Sequence, residues 1–229
     1  MTNSKPISQQ LAEKTYQELA DAQAKTKQPH SRSRVWKSPR GYRFLIPWTN
    51  AALLRIFIRK FTSTLPRSEH RTKTQLDDAA RSVILNIEEG YKRPTTSEYL
   101  QFLGYSQASL EEIYGLVQQI LQDGFLQSAS GSRLTDLGLN LKSWNLWCHD
   151  PLNSSKILYF PLQSSKGNYR NLKEVRGQDL TYEIFLELTN KTDYLLRTLM
   201  SSLETKLESD QKYYQVGQAR IKSNLKWKR

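Results

Sequence analysis

The chain has 229 residues, 38% of them hydrophobic, a net charge of +12 and one cysteine. That length suits one large domain with appendages, and a lone cysteine excludes an intramolecular disulfide framework and fits a reducing compartment. The N-terminus lacks an apolar core segment and the longest apolar run, Ala51 to Ile58, is broken by Arg55, so no signal peptide or membrane span is expected and a cytoplasmic location is.

The positive charge is confined to two places. Lys25 to Arg43 holds seven Lys/Arg and no acid, Gln211 to Arg229 holds six and no acid, and the body between them is neutral. Such blocks stay solvated and suit a polyanion or, more blandly, serve solubility. The domain organisation expected is therefore an N-terminal helix and basic linker over 1–43, a helical body over 44–210 and a basic tail over 211–229.

In chain order, Ser8 caps a thin helix to about Lys25 that carries Leu11, Thr15 and Leu19. The linker from Gln28 to Tyr42 follows, with Val35, Trp36, Tyr42 and Phe44 interleaved among Arg32, Arg34, Lys37, Arg40 and Arg43. That mixture can stack on bases and pair with phosphates, or pack its aromatics on the body. Pro47 opens the next helix, with Leu54, Phe57, Phe61 and Leu65 on its inner face. Arg55, Arg59 and Lys60 lie on the other side and, with Arg67, Arg71 and Lys73, form the best candidate for a basic patch on the body; an ordinary solvated face is the alternative. A helix from about Arg71 to Glu89 turns Leu76, Ala79, Ala80, Val83 and Ile87 inward, and Gly90 is expected to end it with a positive φ. Pro94 blocks continuation, and Thr95 with Glu98 forms a capping box for a helix to Asp123, stopped by Gly124. Phe102, Ser106, Ser109, Ile113, Leu116, Val117 and Ile120 make its inner stripe.

Between 125 and 178 the periodicity weakens, which predicts an irregular insertion with a short helix capped by Ser132 and a strand or extended arm over 156–162. Unstructured intervals of that length usually have a binding role. The last helix, capped by Thr181, is expected from Leu180 to about Tyr214, roughly 50 Å, with Ile184, Leu188, Leu195, Leu199, Leu203 and Leu207 inward. Its distal end projects or meets another subunit. The tail carries Arg220, Lys222, Lys226, Lys228 and Arg229 around Trp227.

Catalytic chemistry is not legible. His30, His70 and His149 are scattered, and one adjacent Cys148-His149 pair lacks the three or four spaced ligands of a zinc site. No nucleotide-binding loop or hydrolase motif occurs. Glu88-Glu89 and Glu111-Glu112 are adjacent on helices, so their carboxylates diverge by about 100° and do not converge on one point. Neither a metal nor a cofactor is expected. Glu89 is expected to order the connector by accepting from its amides, and Cys148 to be a buried or half-buried thiol.

The stretch Asp78-Ala79-Ala80-Arg81-Ser82-Val83, then Asn86-Ile87-x-Glu89-Gly90, resembles the "RAA-x-S-I…N-I-A-E-G" signature of a bacterial four-helix-bundle family. That family comprises proteins encoded in intervening sequences of large-subunit ribosomal RNA and accessory variability proteins of diversity-generating retroelements. Glu98-Tyr99, Phe102-Leu103 and Ser106 to Glu112 are similar to its next helix, so the likeness covers about residues 48–126. The resemblance implies an all-α, antiparallel four-helix bundle assembling as a homopentameric barrel. It also implies binding of RNA or DNA and of a reverse transcriptase in the retroelement branch, and no enzymatic activity. Asn86, Glu89, Gly90, Ser106 and Ser109 are its structural motif positions here. Glu88 stands where the family has alanine and Asp78 where it has arginine, and the body is neutral. The function expected is a non-enzymatic, oligomeric nucleic-acid-binding scaffold, the accessory subunit of a reverse transcriptase. The alternatives are a ribosomal RNA intervening-sequence protein and a protein–protein adaptor with no nucleic-acid role.

Overall fold

The computed structural model describes Arg34 and residues 38–153, 156–163 and 169–226. The chain divides into two units, Met1–Ser33 and Arg34–Arg229, and the described residues all belong to the second. The helix expected after Ser8, together with Arg32, Val35, Trp36, Lys37, Trp227, Lys228 and Arg229, lies outside them.

The unit is predominantly helical. A 3-10 turn over Gly41–Phe44 buries Tyr42 and leads into α1 (Ile46–Thr62), with Pro47 in its first turn. α1 buries Leu53, Leu54, Phe57, Ile58 and Phe61, a broad face because other helices and the insertion all cover it. α2 (His70–Lys92) and α3 (Thr96–Gln122) form a hairpin whose turn is only Arg93–Thr95. The Thr95 hydroxyl accepts the Glu98 amide at 3.2 Å, as its sequence position predicts. α3 ends where Gly124 adopts a φ of 79°. α5 (Tyr182–Lys226) supplies the remaining long helix, with α4 (Leu141–His149) in the insertion between.

Each long helix packs against two of the others, and the paired residues fix the directions. Trp48 Nε1 donates to Glu88 Oε1 at 3.0 Å and Thr62 Oγ1 to Asp77 Oδ1 at 2.9 Å, so α1 and α2 run oppositely. Ser106 Oγ donates to the Val83 carbonyl at 2.8 Å, from α3 to α2. Gln107 Nε2 donates to Asp193 Oδ1 at 2.9 Å and Tyr114 bonds Tyr182, which sets α3 against α5. Phe61 and Phe185 meet edge to face at 5.7 Å, from α1 to α5.

Three sequence expectations need correction. Gly90 does not end α2; it lies inside the helix, and the positive-φ glycines among the described residues are Gly124, Gly131 and Gly138. The buried stripe of α3 is Tyr99, Leu103, Ser106, Leu110, Ile113, Val117 and Ile120. Ser109 sits off it and its hydroxyl donates back to the Tyr105 carbonyl at 3.1 Å. α5 extends twelve residues beyond Tyr214, to Lys226, since no proline interrupts that span.

The insertion is packed rather than loose. Leu134–Leu137 forms a 3-10 turn ended by Gly138 at φ 78°, and the following helix α4 is capped by Asn140, not Ser132. Trp144 is fully buried, its Nε1 donates to the Thr49 carbonyl at 2.9 Å, and its ring meets Phe160 at 5.3 Å. Strands β1 (Pro161–Gln163) and β2 (Tyr169–Asn171) pair antiparallel in the register Leu162 to Arg170. The arm expected over 156–162 is instead a 3-10 turn at Ile157–Tyr159 followed by β1.

Candidate nucleic-acid interface

The α2–α3 turn is built by close approach. A Cβ on Gly90 would stand 2.7 Å from Phe102 Cβ and 2.8 Å from Tyr99 Cδ2, contacts shorter than real packing permits. Glycine is required there because the helices touch. Glu89 does not bond the connector amides; its carboxylate pairs with Arg93 one turn on. Asn86 is half-buried on α2.

Arg34 closes this turn from outside. Its Nη1 donates to the carbonyls of Gly90 and Tyr91, each at 3.1 Å, and of Arg93 at 3.3 Å. Its guanidinium lies 4.0 Å from the Tyr99 ring centroid, and its backbone amide donates to the Pro94 carbonyl at 3.2 Å. The last carbonyls of a helix have no partner within it and attract cations. Burial lowers the affinity of this guanidinium for its proton, opposed by Tyr99 and Tyr91. The same burial pushes the Tyr99 phenol upward, and its hydroxyl has no partner. Arg34 was a candidate phosphate contact; its fork is engaged in holding the turn.

Around this end of the unit, Arg40 is exposed, Arg43 is half-buried, and Lys92 Nζ lies 5.5 Å from the Tyr42 ring. Arg93 lies over Phe102 at 4.4 Å. Sequence reasoning missed Lys92 and Arg93, although they flank Gly90 and Pro94; Lys92 lies by Tyr42, and the Arg93 carbonyl accepts from Arg34. α1 begins here, α2 ends here and α3 begins here. α5 runs toward the same end, and the Gln107–Asp193 pairing brings it level with the start of α3 about eleven residues later, near residue 204, so roughly 33 Å of helix projects beyond. Lys206 and Lys212 are exposed on that projection. Arg220, Lys222 and Lys226 also lie on it, within the helical backbone that ends at Lys226.

The other predicted cations are elsewhere. Arg67, Arg71 and Lys73 lie at the opposite end, by the α1–α2 turn. Arg67 and Lys73 line an open cleft of about 800 Å³ with Leu65, His70 and Asp78. Arg59 pairs with Asp77 at 2.8 Å, its side chain 62% exposed, a contact worth little in water. Lys60 Nζ donates to the Lys173 and Val175 carbonyls at 2.9 and 2.7 Å and so fastens the insertion to α1; burial lowers its proton affinity, opposed by Asp179. Arg55 is exposed between the two ends. Among the described residues, the structure thus places candidate cations at both ends of the unit with Arg55 between them, and removes Arg34 and Lys60 from free contact.

The remaining candidates do not assemble into chemistry. Glu88 accepts from Trp48 and Glu89 pairs with Arg93, while Glu111 and Glu112 are exposed. Among the described residues, no three His, Cys, Asp or Glu could hold a metal ion. No helix of the described residues is long and apolar enough to cross a membrane. Cys148 is buried and its thiol is pushed up to about 12 by that burial, the reverse of what a nucleophilic thiolate needs.

Residues 43–142 match the family described as 23S rRNA-intervening sequence protein. The match spans α1, α2 and α3 and ends at the second residue of α4, before α5. Neither a curated protein nor a solved structure matches the chain.

Proposed function

We propose, from the match of residues 43–142 to the 23S rRNA-intervening sequence protein family, that this chain is a non-enzymatic, oligomeric scaffold that binds RNA or DNA. Its body is an antiparallel four-helix bundle of α1, α2, α3 and α5, assembling as a homopentameric barrel, and in its most specific form it is the accessory subunit of a reverse transcriptase. The observation that carries the nucleic-acid reading is spatial. Arg40, Arg43, Lys92 and Arg93 stand at the end of the bundle from which α5 projects with Lys206 and Lys212, so cations far apart in sequence border one end.

Contacts of that kind are made to phosphates and are independent of sequence. Fluorescence anisotropy with a labelled single strand is the direct test. About six phosphate contacts to a single strand predict an affinity loss of about 300-fold between 50 and 200 mM salt, and deletion of 211–229 a markedly shallower salt slope. Binding that ignores both salt and the deletion would sink the reading. A pull-down from nuclease-treated lysate separates it from an adaptor role, because an adaptor keeps its protein partners. The family description favours a second assignment of the same scaffold, an intervening-sequence protein of ribosomal RNA genes. Co-purification with a reverse transcriptase encoded beside this chain distinguishes the two.

A further inference from the structure

α1 and α3 stand on opposite sides of the unit, since each packs on α2 and α5. Their outer faces are chemically opposite. α1 contains no acid and exposes Arg55 and Arg59; α3 contains no Lys, Arg or His and exposes Glu111 and Glu112. Beside Arg55 and Arg59 runs an open groove of about 600 Å³. Ala52, Ile56 and Ile84 line it, with Glu88 bonded to Trp48 beside them and a wall of Ile157 and Leu158 from the insertion. Leu158 remains 40% exposed, so that wall is an apolar edge facing solvent.

We propose that this groove receives the outer face of α3 from a second copy of the chain, which makes the insertion part of the subunit interface. The proposal rests on the oligomeric part of the reading above. It is carried by complementary charge and by matching height. The Trp48–Glu88, Thr62–Asp77 and Ser106–Val83 bonds fix the levels of three helices. They put Arg55 and Arg59 level with the stretch of α3 within about one helical turn, ~5 Å, of Glu111 and Glu112. α1 and α3 also run in the same direction. A second copy displaced sideways, with no slide along the bundle, therefore sets its Glu111 and Glu112 beside Arg55 and Arg59. Such a head-to-tail contact repeats around an axis parallel to the helices and closes into a ring when the rotation divides the circle. The outer face of α3 is also low. Nothing lies within 4 Å of a Cβ placed at Gly104 or Gly115, so no contact within the described residues calls for these helix-weakening glycines, whereas a helix lying across them would.

Sedimentation velocity on nuclease-treated protein tests the interface. Wild-type chain sediments as an oligomer; Arg55→Glu, and separately Glu111→Lys with Glu112→Lys, fall to the 26.7 kDa of one chain with unchanged helical circular dichroism. Placing all three substitutions in one chain restores assembly. Leu158→Asp weakens assembly by at least tenfold in dissociation constant. A monomeric wild type overturns this proposal together with the oligomeric reading. An oligomer indifferent to the charge reversals or to Leu158→Asp, or a folded triple variant that does not assemble, overturns the proposed interface alone.

Discussion

The α2–α3 hairpin and the projecting part of α5 are both regular helix, and they are held by opposite means. Around Gly90 every direction is filled: Phe102 and Tyr99 across the hairpin, Arg34 on the carbonyls, and Tyr91 against Tyr42 at 6.0 Å. From about Glu204 onward, α5 adds no described residue to the apolar core, and nearly every described side chain on it is exposed. The first region is specified residue by residue and carries the motif by which the chain resembles the matched family. The second needs only helix-forming residues and charge. Recognisable sequence and proposed binding chemistry therefore sit in different parts of the molecule, and a motif search alone would point at the hairpin for a role proposed for the projection.

Substitutions should expose that contrast in order of size. Gly90→Val forces a branched side chain into contacts already too short for one Cβ, and should cost about 3 kcal/mol in urea unfolding. Arg34→Ala leaves three carbonyls without their cation and uncovers the Tyr99 ring; a loss of about 1.5 kcal/mol is expected in the same measurement. Truncation before Gln211 should change stability by less than about 0.5 kcal/mol, because the removed described side chains are exposed, while nucleic-acid affinity falls more than tenfold. A truncation that destabilised as much as Gly90→Val would erase the distinction. Smallest in thermodynamic effect is the thiol. With its titration moved from 9.0 to about 12, Cys148 should react with a maleimide at pH 8 at least about a hundredfold more slowly in the native chain than in urea. A folded pKa above the unfolded one means that this group's contribution to stability is complete below pH 9 and disappears as pH rises toward 12.

Much of the fold was legible because it is local. Pro47 in the first turn of α1, the Thr95 cap and Gly124 after α3 are signals read within a few residues of where they act. Gly90 was legible as important and misread in kind, since a glycine that permits contact and a glycine that permits positive φ look alike in sequence. The α3 stripe was drawn through Ser109 rather than Leu110 because the small residues were taken as the packing signal, whereas Leu103, Leu110 and Ile113 flank Ser106 in the core. Arg34 and Lys60 looked like any other cations. Their partners are carbonyls 56 to 59 and 113 to 115 residues away, and no local pattern announces such a contact. The insertion was opaque for a related reason: its buried residues, Leu134, Leu139, Trp144, Phe160, Leu162 and Leu172, are spread over turns too short to have a period.

The loop after α3 gives a practical handle on all of this. Ala129 to Gly131 is exposed, and Gly131 adopts a φ of 83° with nothing within 4 Å of a Cβ. It stands at the end of the unit opposite Arg40, Lys92 and the projecting helix. The native thiol is buried, so a cysteine introduced by Ser130→Cys would take a fluorophore almost alone. A dye there is remote from the proposed phosphate contacts and level with the α1–α2 turn, where Arg67, Arg71 and Lys73 lie. Its quenching by a bound strand would report use of that second basic cluster, while a silent dye on a bound protein would assign the contact to the other pole.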